Sequence, residues 1–197
     1  LLPEVNFDED KFLSGVEQDV IEHGYSVIVA SEGLKNGNGE LYASSSEIDS
    51  FGHSQLGGLA PKIASLITDK LDLKNHWSVA DYLQRSARHI SSLTDIEQAV
   101  AVGKAAVKLA AEGKSGVMPI IKRISNSPYE WTISEGDLKE IANQEKTLPK
   151  NFISSDGFRI TKVGRAYLQP LIEGESFPKF SNGIPVYEGL DLHLRKI

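Results

Sequence analysis

The chain has 197 residues, 40% of them hydrophobic and 24% charged, which is the composition of an ordinary globular protein. Its net charge of −6 and pI near 5.4 argue against a nucleic-acid binder, because such proteins usually carry a basic patch. The absence of cysteine excludes disulfides and thiolate metal sites, and the five histidines form no HxxxH or HExxH pattern that would indicate zinc.

The first residues resemble neither a signal peptide nor a membrane span. No apolar run approaches the ~18 residues that cross a bilayer, so we expect a cytoplasmic protein without a membrane partner. Residues 1–5 have the pattern of the tail of a buried strand, and a free-standing domain seldom begins within a strand. We therefore expect the chain to be the carboxyl-terminal piece of a longer protein.

The first part of the chain predicts a strand, a helix and a second strand. Short polar and acidic residues at 6–10 suit a helix start, apolar residues then recur at helical spacing, and Gly24 is a typical stop. Residues 25–30 are rich in β-branched side chains and predict a buried strand. This order is the βαβ pattern of α/β proteins.

The remaining elements continue the alternation of helices and strands. Polar residues and glycines at 33–50 predict a loop, and Gly58 leads into a helix over 59–71. Ser92 opens a capping box before a helix over 95–111, whose alanines and Gly103 indicate tight packing on a sheet. The pattern also predicts two strands, a short helix and a further helix, in chain order 77–82, 117–121, 137–143 and 162–171.

The densest group of hydrogen-bond donors lies at residues 81–89, which read Asp-Tyr-Leu-Gln-Arg-Ser-Ala-Arg-His. Arginine is the preferred partner of phosphate because its planar fork donates two parallel hydrogen bonds. Upstream, the predicted strand 25–30 is followed by Glu32 and Gly33, and ligands of open α/β sheets bind outside the carboxyl ends of strands. A carboxylate for sugar hydroxyls and an arginine for a phosphate would together hold a sugar phosphate.

Each of these residues also has a purely structural interpretation. Arg85 could pair with Asp81 or Asp95 while Tyr82 only packs, and Glu32 could cap a helix. Residues 51–58 could bind an anion at a helix start, but the pattern favours a tight turn that needs positive φ at their glycines. His76, His89 and the Lys122–Arg123 pair are weaker candidates, and Ser91–Ser92 lacks the partners of a hydrolase triad.

These motifs together resemble the phosphofructokinase family. Residues 82–86 are similar to its fructose-6-phosphate-binding segment, in which His or Tyr is followed by Ile or Leu, Gln and Arg. Residues 31–33 resemble its strand-end Glu-Gly, and residues 2–7 its Pro-Glu-x-x-Phe segment. Residues 148–149 and 170–175 look like the pyrophosphate-dependent branch of the family. The resemblance covers essentially the whole chain.

The resemblance implies a fold and a set of site residues. The implied fold is α/β, a three-layer sandwich with a mostly parallel sheet, in which residues 1–118 bind the sugar phosphate and residues 119–197 form a carboxyl-terminal extension. Glu32 would hold sugar hydroxyls, and Tyr82 and Arg85 would bind the 6-phosphate, with Leu83 and Gln84 between them. His76 stands where many ATP-dependent relatives place an intersubunit arginine, which puts that contact in doubt.

The resemblance also implies that no catalytic residue lies in this chain. The family's donor-binding loop and its Thr-Ile-Asp segment have no counterpart here and are expected in an amino-terminal half, together with most of the Mg²⁺ site. We expect an inactive portion of a homo-oligomeric enzyme, dimer or tetramer, that phosphorylates fructose 6-phosphate from pyrophosphate. An ATP-dependent enzyme and a non-catalytic sugar-phosphate-binding subunit are the alternatives.

Overall fold

The computed structural model describes residues 1–48, 54–56 and 58–186. Packing divides the chain into two units, one formed by Leu1–Asp81 with Glu145–Arg165 and the other by Tyr82–Gln144 with Ala166–Ile197. We call them the first and the second unit. The predicted boundary at residue 118 separates a sugar-phosphate-binding region from a carboxyl-terminal extension by function, not by packing, and it stays a prediction.

Helices and pairs of consecutive strands follow one another along the described chain. The helices are α1 (Glu9–His23), α2 (Leu59–Leu71), α3 (Leu83–Ser86), α4 (Leu93–Ala111), α5 (Leu138–Ile141) and α6 (Lys162–Leu168). The strands are β1 (Ser44–Ile48), β2 (Ser54–Leu56), β3 (Val117–Asn126), β4 (Tyr129–Asp137), β5 (Phe180–Ser181) and β6 (Ile184–Pro185). Short 3₁₀ turns lie at Arg88–Ile90, Lys150–Phe152 and Gln169–Ile172.

The first unit is built around α1, which begins and ends as its sequence predicts. The Asp8 carboxylate accepts a hydrogen bond from the Lys11 N–H at 3.1 Å, and Gly24 closes the helix with φ 80°. Phe12 and Val16, one turn apart, are buried. The helix therefore presents one apolar stripe to the core, as the spacing predicts.

The segment after α1 differs from its prediction. Residues 25–30 have no regular secondary structure, and their only backbone pairing in the described part is with Leu1, whose nitrogen donates to the Val29 carbonyl and whose carbonyl accepts from the Ser31 N–H. Ile28 packs on the core, but Val27 and Val29 are 76% and 79% exposed. The prediction of a buried strand is wrong for one face, because no described element covers it.

The core of the first unit contains an aromatic cluster, and the buried face of α2 packs in the same core. The ring of Phe7 lies between those of Phe12 and Tyr42; its centroid is 5.2 Å from the Phe12 centroid and 4.7 Å from the Tyr42 centroid. Phe158, in the later segment of the first unit (Glu145–Arg165), packs near Phe12, with centroids 6.5 Å apart. Burial and a hydrogen bond to the Glu9 carboxylate raise the pKa of the Tyr42 hydroxyl. The Phe7–Tyr42 pair is edge-to-face, a geometry that adds stabilisation beyond the area the rings bury.

The second unit packs α4 on a long β-hairpin. Ser92 caps α4, as the capping box predicts, because its hydroxyl accepts from the Asp95 N–H at 3.1 Å. Strands β3 and β4 pair antiparallel, with Ile121 opposite Ile133. The buried Gln98 of α4 donates to the Tyr129 hydroxyl at 2.6 Å, which joins helix and hairpin.

Several predicted elements of the two units need correction. The strand predicted at 117–121 extends to Asn126, and its partner β4 was not predicted. The strand predicted at 77–82 is absent: residues 77–80 have no regular structure, and Trp77 and Val79 are half exposed. Aromatic and β-branched residues favoured a strand there, but no described segment pairs with it. The described strands form three antiparallel pairs, and parallel pairing occurs at Leu1 and at the Asn6–Lys35 bridge.

Candidate functional site

The predicted phosphate-binding residues lie on a single tight turn at the start of the second unit. Asp81 has φ 47°, a left-handed conformation that Asp adopts more readily than most residues, and it turns the chain into α3. The carbonyl of Tyr82 then accepts hydrogen bonds from the Arg85 N–H, the Ser86 N–H and the Ser86 hydroxyl, at 2.9–3.1 Å. This one carbonyl fixes the backbone that carries Tyr82, Leu83 and Arg85.

The side chains of this turn face solvent. Tyr82 and Leu83 are 73% and 67% exposed, and Arg85 is exposed as well. Within the described residues the Arg85 guanidinium has no hydrogen bond or ion pair, so the pairing with Asp81 or Asp95 considered above is not made. The Gln84 side chain is outside the described part. Arg85 and the Tyr82 hydroxyl are thus available to an anion.

Arg88, three residues after Arg85, is engaged. Its Nη2 donates to the Ser176 hydroxyl at 2.9 Å, and its Nη1 donates to the Ser176 carbonyl. The two residues are 88 positions apart, so no local pattern in the sequence predicts the contact. Arg88 therefore holds the carboxyl-terminal segment, while Arg85 stays free in the described structure.

Glu32 lies in the first unit, in the short segment that follows residues 25–30. It sits in a turn that the Ser31 hydroxyl and carbonyl close, by accepting from the Gly33 and Leu34 N–H groups. A Cβ on Gly33 would lie 3.3 Å from Cβ of Pro3, so any larger residue there would require Pro3 to move by a few tenths of an ångström. The Glu32 carboxylate is exposed and has no partner among the described residues, so it can accept hydrogen bonds from a ligand.

The weaker candidates divide into exposed and structural residues. His76 and His89 are exposed. Residues 51–53, which include His53, and Gly57 fall outside the described residues. Gly58 has φ 78° at the start of α2, which is the positive φ that the tight-turn interpretation requires.

Arg123 is held by two tyrosines of its own unit. Its guanidinium carbon lies 4.5 Å from the ring centre of Tyr129 and 4.0 Å from that of Tyr167. Its Nη1 donates to the Asn126 side chain at 2.9 Å, and its Nη2 to the Tyr167 carbonyl at 2.8 Å. These contacts satisfy the guanidinium within the fold, so we assign Arg123 a structural role and not a phosphate-binding one.

Replacing Arg123 by alanine is expected to destabilise the second unit by about 2–5 kcal/mol, since it removes two cation–π contacts at ~0.5–1 kcal/mol each and two hydrogen bonds at ~0.5–1.5 kcal/mol each. Urea unfolding followed by the fluorescence of Trp131, with Trp77 replaced by phenylalanine, measures it. Arg123→Lys keeps the charge but loses the fork and should lie between. Lys122→Ala, at the exposed neighbour, should change stability by less than ~0.5 kcal/mol; equal effects at both positions would refute the assignment.

Known proteins with the same sequence pattern identify the family. The chain is 54% identical over 187 residues to the pyrophosphate–fructose 6-phosphate 1-phosphotransferase of Methylococcus capsulatus and 50% identical over 193 residues to that of Halomonas elongata. The crystal structure of a pyrophosphate-dependent phosphofructokinase from Nitrosospira multiformis superimposes with a TM-score of 0.81 at 46% identity. The chain belongs to the phosphofructokinase family. Its predicted α/β, phosphofructokinase-like fold is thereby confirmed.

The chain accounts for only part of a phosphofructokinase. The matches cover 95%, 98% and 99% of this chain but 44%, 46% and 45% of the three relatives, so the chain spans less than half of their length. The matched part is their carboxyl-terminal half, as the resemblance implied. No protein-family model matches the sequence. The roles of Glu32, Tyr82, Leu83, Gln84 and Arg85 stay predictions.

Proposed function

We propose that this chain supplies the sugar-phosphate-binding portion of an enzyme that transfers a phosphoryl group from pyrophosphate to the 1-hydroxyl of fructose 6-phosphate, giving fructose 1,6-bisphosphate and phosphate. The names of the relatives supply the reaction, and the solvent-facing guanidinium of Arg85, on the same turn as the exposed Tyr82, carries the assignment to this chain. A phosphofructokinase fold alone would not establish the activity, because folds host many functions.

The proposed role of these residues is to bind and orient the acceptor. Arg85 would donate a bidentate pair of hydrogen bonds to the 6-phosphate, and Tyr82 would add one from its hydroxyl. Glu32 would accept hydrogen bonds from sugar hydroxyls, which a carboxylate can do because it is acceptor-only when ionised. Contacts of this kind convert an encounter into a fixed geometry for the 1-hydroxyl, and phosphoryl transfer depends mainly on such positioning.

The place of Mg²⁺ in the enzyme is proposed from the resemblance. Mg²⁺, the phosphoryl donor and the catalytic base are proposed to be bound by the part of the enzyme that this chain does not represent. Within residues 1–48, 54–56 and 58–186 no group of three carboxylate or histidine side chains comes together in a way that could hold a metal ion. By itself the chain is proposed to bind fructose 6-phosphate weakly and to turn over nothing.

Location and assembly are proposed on the same basis. No helix in the described part is both long and apolar enough to span a bilayer. A cytoplasmic enzyme that forms a homodimer or homotetramer is the proposal that the resemblance favours.

A chimeric enzyme tests the proposed function. This chain replaces the matched portion of the Methylococcus capsulatus relative, and the purified chimera is assayed with fructose 6-phosphate and Mg²⁺, with pyrophosphate or ATP as donor. Turnover with pyrophosphate supports the proposal. Turnover with ATP alone would replace it by an ATP-dependent enzyme. No turnover with either donor, while the chain still binds fructose 6-phosphate in calorimetry, would favour a non-catalytic binding subunit; the unaltered relative is the control.

A further inference from the structure

Three Asn-Gly steps occur in the chain, at Asn36–Gly37, Asn38–Gly39 and Asn182–Gly183. Such steps are prone to spontaneous deamidation because glycine leaves its own nitrogen unhindered. That nitrogen loses its proton to hydroxide and attacks the asparagine side-chain carbonyl carbon; an N–C bond forms and ammonia leaves. Water then opens the succinimide at either carbonyl, which gives aspartate or isoaspartate. We propose that Asn182 is the site of this modification and that the fold protects the other two.

Asn36 is protected because its side chain is held. Its Oδ1 accepts hydrogen bonds from the Asn38 and Glu40 N–H groups at 2.9 and 3.0 Å, and its Nδ2 donates to the Glu40 carboxylate at 3.1 Å. The residue is half-buried. The carbonyl carbon can meet the nitrogen of Gly37 only if all three hydrogen bonds break first, which lowers the population of the reactive conformer.

Asn38 is protected because the nitrogen that would attack its side chain is held in a hydrogen bond. Its side chain is exposed, but the attacking nitrogen would be that of Gly39, whose N–H donates to the Asn36 carbonyl at 3.0 Å. The reaction needs this nitrogen to lose its proton, and the hydrogen bond favours the protonated form. The bond also closes the turn in which Gly39 has φ 81°, so attack requires the turn to open.

Asn182 has neither protection. Asn182 and Gly183 form the two-residue turn between β5 and β6, with φ 52° and 80°, and both are exposed. Among the described residues, neither the Asn182 amide nor the Gly183 N–H has a hydrogen-bond partner. Both reacting groups are thus in contact with water. The sequence gives all three asparagines the same neighbour, and only the hydrogen bonds separate them.

The modification would alter the hairpin in two ways. Either product adds a negative charge at the turn. Isoaspartate also routes the main chain through the side-chain carbon and so lengthens the turn by one methylene. A two-residue turn fixes the register of its strands, so the pairs Ser181–Ile184 and Phe180–Pro185 would not both be kept.

The test compares the three sites within one sample. The folded chain is incubated at mildly alkaline pH, digested at intervals, and each peptide is scored by mass spectrometry for a gain of one dalton and by methyltransferase labelling for isoaspartate. Asn182 should react first. In urea the three rates should converge, because the hydrogen bonds are gone. A folded chain in which Asn36 or Asn38 reacts as fast as Asn182, or the same order of rates in urea, would overturn the proposal.

A variant supplies the matched control. Glu40→Ala removes the acceptor of the Asn36 amide and leaves the Asn182 turn untouched. The rate at Asn36 should rise and the rate at Asn182 should stay the same. An unchanged rate at Asn36, with the variant shown to be folded by circular dichroism, would contradict protection by hydrogen bonding at that residue.

Discussion

Replacing Arg85 by alanine is expected to raise the KM for fructose 6-phosphate about ten- to hundredfold in the chimeric enzyme, since a hydrogen-bonded contact with a charged partner is worth roughly 1.5–3 kcal/mol. The reason is geometric: the guanidinium faces solvent on a turn that one carbonyl fixes, so it needs no rearrangement to meet a phosphate. The 6-phosphate lies away from the reacting hydroxyl, and kcat should therefore change much less than KM. Steady-state kinetics with pyrophosphate held at saturation measures both.

Arg88 provides the matched control for this experiment. It is another guanidinium three residues along the same segment, but its donors are occupied by Ser176. Arg88→Ala should lower the Tm of the second unit and leave the KM for fructose 6-phosphate near its original value. Arg85→Lys should give an intermediate KM, because a lysine keeps the charge and loses the two-pronged geometry.

Two results would contradict the role of Arg85. One is an unchanged KM in Arg85→Ala, which would show that the Arg85 guanidinium does not contribute to the binding of fructose 6-phosphate. The other is an equal rise of KM in Arg88→Ala, because the effect would then come from general disturbance of the segment. A binding experiment with the chain itself distinguishes a direct contact from a general disturbance of the segment. If Arg85→Ala abolishes fructose 6-phosphate binding and Arg88→Ala does not, the direct contact is supported.

Helix boundaries were predictable because their causes are local. Asp8 and Gly24 bracket α1, and Ser92 caps α4, each through a contact with a residue at most four positions away. The helix over 59–71 follows the same rule, with Gly58 before it. Interactions of this range are written in a short stretch of sequence, so they can be predicted without knowledge of the rest of the fold.

The strands were less predictable because burial depends on distant segments. Val27 and Val29 favour a strand by type, but within the part of the chain that the structure describes only Leu1 pairs with the backbone there, and both side chains are exposed. Trp77 gave the same misleading signal. Conversely, β4 has a mixed sequence and becomes a strand because β3 pairs with it over its whole length.

The residues of the candidate site could be predicted from the sequence, but the contacts that their side chains make or lack could not. Residue type alone indicates that any of Arg85, Arg88 and Arg123 is able to bind phosphate, and only the resemblance to the family singles out Arg85 from the sequence. The structure separates them by partners far along the chain: Ser176 for Arg88, and Tyr167 for Arg123. Long-range contacts of this kind leave no pattern in a single sequence.

The largest effect on stability is expected from Phe12→Ala. This ring is 5% exposed and lies 5.2 Å from the ring of Phe7 and 6.5 Å from that of Phe158, so it joins α1 to two other segments of the first unit. Its removal leaves a cavity that rigid neighbours fill only in part, and a buried Phe→Ala change costs about 3–5 kcal/mol. That is a large share of the 5–15 kcal/mol typical of a domain, roughly speaking.

The two tryptophans allow the first unit to be followed separately. Trp77 belongs to the first unit and Trp131 to the second, so in a Trp131→Phe background fluorescence reports the unit that contains Phe12. The urea midpoint should fall while the slope of the transition stays constant, which marks a change in stability without a change in the surface exposed on unfolding.

Phe177 supplies a control of the same chemistry in another environment. Its ring, in the second unit, is 73% exposed, so Phe177→Ala, followed through Trp131 in a Trp77→Phe background, should change stability by less than ~0.5 kcal/mol. Phe12→Leu should lose less than Phe12→Ala, because leucine refills part of the cavity. If Phe12→Ala and Phe177→Ala cost the same, the aromatic cluster does not carry the first unit, and its stability must come from the packing of α2 on α1 instead.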